Sequence, residues 1–85
     1  MKVLLFVQAG DGQPKCEGSW RNFTPDNFRV VLRRQDERKE RWWLVECEHA
    51  DAGRLTIAQH GRHIADRGPG RILAPCPLGE KERAT

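Results

Sequence analysis

The stretch from residue 28 to residue 47, FRVVLRRQDERKERWWLVEC, limits the possible folds more than any other part of the chain. Apolar residues crowd its two ends, and residues 35–40 between them are all polar. Read as strands, 28–34 and 41–47 form a hairpin around a charged loop at 35–40, within ordinary strand lengths. Pairing Arg34 with Arg41 sets Leu32 opposite Trp43, Val30 opposite Val45 and Phe28 opposite Cys47, which makes one face wholly apolar. The other face then sets Val31 against Leu44, Arg33 against Trp42 and Arg29 against Glu46: an apolar pair, a cation–π contact and an opposite-charge pair.

A helix is the competing reading. Thr24 suits the N-cap, Pro25 the first turn, and Asp26 the positive end of the helix dipole. Its stripe would run Phe28, Val31, Leu32, Gln35, Lys39, Trp42, Trp43, Glu46, with polar residues breaking it. That break, together with the β-branched and aromatic ends, favours the hairpin, led in by at most a short helical turn at 24–27.

Elsewhere, residues 2–8 read as a continuous apolar strand, and the lack of polar alternation marks it as central and covered on both faces. Residues 9–19, with three glycines and a proline, are a long surface loop ending at Trp20, whose indole is expected to fold over the core. His60-Gly61 is expected at the tip of a second hairpin, with Ile57 facing Ile64, Ala58 facing His63 and Leu55 across from Asp66. Residues 71–74 form a short last strand that Pro75 and Pro77 confine to an edge. The expected architecture is all-β, a small curled antiparallel sheet or a partly open SH3-like or OB-like barrel of five to six short strands. A barrel would remove the exposed edges of a thin sheet. Residues 1–78 make one small domain, and 79–85 a mobile charged tail.

The five apolar residues at 3–7 are too few for a signal-peptide core or a membrane span, and an odd number of cysteines, three, argues for reduced thiols in the cytoplasm. Cys47-x-His49 with His60-x-x-His63 offers four zinc donors, and Cys16 and Cys76 two more, but no paired-cysteine knuckle occurs. A buried thiol at Cys47 and histidines at turns are therefore expected, with no metal and no cofactor. Cys47, His63 and Asp66 could be written as a nucleophile, base and carboxylate, although composition alone makes such trios common. Ser19, the only serine, lies in no nucleophile elbow. No catalytic function is expected.

What remains is a binding surface. Arg29, Arg33, Arg34 and Arg41 with Val31, Trp42 and Leu44 combine the residue types that anchor interfaces. They point to a small non-catalytic adaptor or inhibitor that binds another protein or itself, without a membrane, and the arginine bias suits a GC-rich bacterial or phage genome. The alternative is a nucleic-acid-binding barrel, with these arginines and Arg38, Lys39, Arg54, Arg62, Arg67 and Arg71 on phosphates and Trp42 stacked on a base. A net charge of +3 permits either.

Overall fold

The apolar run near the start of the chain becomes the middle strand of the protein. The computed structural model describes residues 1–9, 17–64, 66, 68 and 70–75. Its elements are β1 (Lys2–Ala9), β2 (Glu17–Asn22), α1 (Pro25–Arg38), β3 (Arg41–Glu48), α2 (Ala52–Ile57), β4 (His60–Ile64) and β5 (Arg71–Pro75). The strands form one antiparallel sheet in the order β4-β2-β1-β3-β5. This is the small, curled, five-stranded sheet the sequence predicts. It is not closed into a barrel, and β4 and β5 are its two edges.

Both faces of β1 are covered, as expected for a strand without polar alternation. Val3, Leu5 and Val7 pack with Trp20, Val45, Cys47, Ala52 and Leu55 on the face that carries α2. Phe6 packs with Val31, Trp42, Leu44 and Phe28 on the face that carries α1. Each such side chain withdrawn from water contributes about 1.5–3 kcal/mol before conformational entropy is subtracted, so two thin cores share one strand. Trp20 is buried within the first of them, lying in β2 and pairing with Val7.

The expected hairpin at 28–34 and 41–47 does not form. Residues 28–34 lie in α1, and β3 pairs with β1 on one side and β5 on the other. The helix uses the signals of the competing reading. Thr24 Oγ1 accepts the Asn27 N–H at 3.1 Å, Pro25 occupies the first turn, and Arg29 bonds Asp26 at 2.9 Å. Lys39 ends it in the left-handed region at φ 56°, returning its N–H to the Arg34 carbonyl. Of the polar residues in the stripe, Gln35 lies in the last turn of the helix and Lys39 at its cap, while Glu46 lies in β3.

The second hairpin is also replaced. Residues 52–57 are helical as α2, and β4 pairs with β2, setting Gly61 opposite Trp20 and His63 opposite Gly18. Asn22 ties the two segments together: its N–H bonds the Gln59 carbonyl at 3.2 Å, and its side-chain amide donates to the carbonyls of Thr56 and Ala58. The last strand lies at an edge as expected and ends at Pro75, with a register shift opposite Leu44 and Val45. The proposed tail at 79–85 lies outside the described residues. Among the described residues, no helix is long and apolar enough to cross a membrane.

Candidate functional site

Three places gather chemistry, and the first is the corner where α1 meets β3. The sequence predicts an exposed surface of Arg29, Val31, Arg33, Arg34, Arg41, Trp42 and Leu44, and this grouping does not survive. Because α1 lies across the sheet, Val31, Trp42 and Leu44 are buried beneath it, while Arg29, Arg33 and Arg41 face solvent. Arg33 therefore has no cation–π contact with Trp42. Arg34 donates to Glu40 at 2.9 Å, and the Trp42 indole N–H donates to the same carboxylate oxygen at 3.2 Å. Nearby Arg21 is shifted below its ordinary pKa by burial and by the Arg34 charge, with Glu40 opposing both. Glu40 thus gathers one guanidinium and one indole into a fixture that holds the corner together.

The second place is a contact across the coiled sheet. Cys47 pairs with Val3 near the start of β1, and His63 pairs with Gly18, on the strand beyond β1 and level with its far end. Two strands separate them in the sheet, yet Cys47 Sγ and His63 Nε2 are 2.9 Å apart. Only a strong coil brings such diagonally opposed corners together. The Asp66 N–H continues the closure to the Glu48 carbonyl, and the Asp66 carboxylate accepts the Ala50 N–H. His49 stacks near His63 with ring centroids 5.4 Å apart, and its Nδ1, 3.6 Å from Asp66 Oδ2, accepts the Asp51 N–H at 3.0 Å.

Cys47, His63 and Asp66, named from sequence as a conceivable nucleophile trio, are therefore neighbours, but the geometry is wrong for catalysis. Cys47 is 2 % exposed and His63 1 %, so a substrate carbonyl has no approach to the sulfur. Asp66 bonds backbone and leaves His63 Nδ1 without a partner, whereas a triad needs a group to orient that nitrogen. Nor do the four zinc candidates assemble. His60 and His63 fall on opposite faces of β4, and among the described residues no three donors are placed to hold a metal ion. Cys16 and Cys76 lie outside the described residues.

The pair instead ties stability to pH. Burial first, and then the neighbouring His49, hold His63 below its ordinary value of 6.5, with Asp66 opposing. The unfolded chain takes up a proton near pH 6.5, while the folded chain waits for a lower pH. Between those two values the unfolded state binds more protons, so stability falls as the pH drops through this window and is unaffected by this group above it. In thermal melts from pH 8 to pH 5, the midpoint of the wild type is expected to fall more steeply below pH 6.5 than that of His63→Gln. Parallel curves would refute the assignment.

The third place was not found from sequence. On the side of β2, the pairing of β1 stops at Leu5 opposite Asn22, because the Thr24 N–H bonds the Asn22 carbonyl and the chain turns into α1. The start of β1, with Phe23 and α2 around it, borders a groove of about 420 Å³. Phe23 and Leu4, 48 % and 39 % exposed, stand at its mouth, and Leu55 and Ala52 form its inner wall. The legible signal was Thr24-Pro25. A helix cap that close after Trp20 makes β2 too short to flank all of β1. Compared with known protein families, curated proteins and solved structures, the chain matches none.

Proposed function

We propose that this protein is a small binding module for another protein, with no chemistry of its own, and that its contact surface is the groove beside the start of β1. The observation that carries this reading is an aromatic and a leucine left half in solvent at the mouth of a groove with an apolar inner wall. Apolar patches of this kind on small domains mark interaction sites. Two of the three tryptophans, Trp20 and Trp42, are spent on the cores, so the anchoring role moves to Phe23 and Leu4. The Cys47 thiol, buried and held by His63, fits a reducing, cytoplasmic setting.

The nucleic-acid alternative keeps exposed Arg33 and Arg41 but loses Trp42 as a stacking platform. Panning a random peptide library on the immobilised protein, beside titration with single-stranded and duplex oligonucleotides at low salt, separates the readings. A binding module yields enriched peptides whose affinity for Phe23→Ser is about tenfold lower and falls far less with salt than that of an oligonucleotide. Oligonucleotide binding that weakens steeply with salt, and with Arg33→Ala or Arg41→Ala, would put the nucleic-acid reading in its place.

A further inference from the structure

Resting on the binding-module reading, we propose that the groove takes an extended peptide of alternating apolar and acidic residues as an added strand beside the start of β1. The backbone direction sets the mode. Met1 directs its carbonyl to the His49 N–H on the β3 side, so by alternation Lys2 and Leu4 direct their N–H and C=O groups to the opposite side. Among the described residues no strand pairs with β1 there, since β2 has turned away after Asn22. The vacant line continues that of β2 and runs for three residues of β1, about 10 Å of extended chain. A peptide entering it would extend an existing ladder, and backbone hydrogen bonding of this kind supplies affinity in strand addition.

The walls set the side chains. Alternate residues of the added strand would face the α2 side, where Ala52 and Leu55 are buried next to Val3 and Leu5, and this side takes small branched apolar groups. The intervening residues would face Lys2 and Leu4. Among the described residues bordering the groove, Lys2 is the only charged side chain and none is a carboxylate; the Met1 ammonium also borders it, bonded to Glu48 at 2.9 Å. The Lys2 ammonium stands 3.8 Å from Glu46 in an exposed pair, a weak contact with which an incoming carboxylate can compete. The overall charge of +3 favours the same acidic partner.

The test is an amide-shift titration of isotope-labelled protein with two capped peptides, Val-Glu-Val-Glu-Val and Val-Lys-Val-Lys-Val. The glutamate peptide is expected to shift residues 2–5, 23 and 53–56, to slow exchange of the Leu4 amide, and to bind about fivefold or more tightly than the lysine peptide. A built Cβ at Gly53 meets nothing within 4 Å, so Gly53→Glu should fold normally and weaken the glutamate peptide by a similar factor. Equal binding of the two peptides, shifts at the β4 or β5 edge or on α1, or no shifts at millimolar peptide would each overturn the proposal. Those results leave the binding-module reading to its own test, since panned peptides of another pattern can still occupy the groove. That reading fails if panning enriches nothing, if the enriched peptides bind Phe23→Ser as tightly as wild type, or if oligonucleotides take the surface.

Discussion

Gly18→Ala is expected to remove most of the domain's stability. Gly18 has φ +149°, a conformation that side-chain-bearing residues rarely adopt, and a Cβ built there runs into the Gln8 backbone carbonyl oxygen, with Val7 Cγ1 behind it at 3.5 Å. Neither neighbour can yield, because Val7 is buried and Gln8 belongs to the central strand. Backbone strain and forced overpacking each cost about 1–3 kcal/mol, against a total of about 5–10 kcal/mol for a domain of this size. At about 4–8 °C per kcal/mol, the melting midpoint should fall by about 8 °C or more. Gly53→Ala is the matched control. It lies in α2 with open space around it, and is expected to hold the midpoint or to raise stability by up to about 1 kcal/mol. A Gly18→Ala protein melting within about 3 °C of wild type would show that β2 does not press on β1 at this point.

Trp42→Ala should be nearly as damaging, and its readout distinguishes a core residue from a surface anchor. Trp42 is 3 % exposed, packed against Phe6, Val31 and Leu44, and its indole N–H donates to Glu40. Truncating such a residue costs about 3–5 kcal/mol. Glu40 loses one of its two donors as well, although Arg34 still holds it. A large drop in the midpoint of denaturant unfolding is expected. An unchanged midpoint would mean that Trp42 lies at the surface and that α1 does not cover the sheet as described.

Much of this fold could be read from residue pattern, and the errors share one cause. β1 was legible as a central strand because Val3 to Val7 carry no polar residue, and β5 as an edge because Pro75 cannot donate to a ladder. The helix was missed because its apolar stripe was required to continue through Trp42 and Trp43. It needs only Phe28, Val31 and the half-buried Leu32 before Lys39 turns left-handed. Pairing Val30 with Val45 and Leu32 with Trp43 looked consistent because β-branched and aromatic residues sort well in many registers. The true partners of β3, Val3 to Val7, lie far away in sequence, where local pattern cannot test them. Thr24-Pro25 marks in the sequence where β2 stops, but that this leaves a groove beside β1 depends on a pairing that local pattern cannot test. The Cys47 and His63 contact was visible as residue types, but no spacing rule encodes the coil that joins them.

The pairing of Lys2 with Glu48 sets the order in which the chain can assemble. The longest ladder in the protein joins segments that sit either side of β2 and α1, so β1 gains its main partner only after both have been traversed. Loop closure of that length precedes any reward from burial, and such topologies fold slowly for their size. Until β3 arrives, an apolar strand partnered by β2 only at Leu5 to Val7 is exposed to other chains. Capped and salt-bridged, α1 is the element best able to form early, and it can shield Phe28 and Val31 while β1 waits. Refolding at raised protein concentration should therefore lose yield to aggregation through β1.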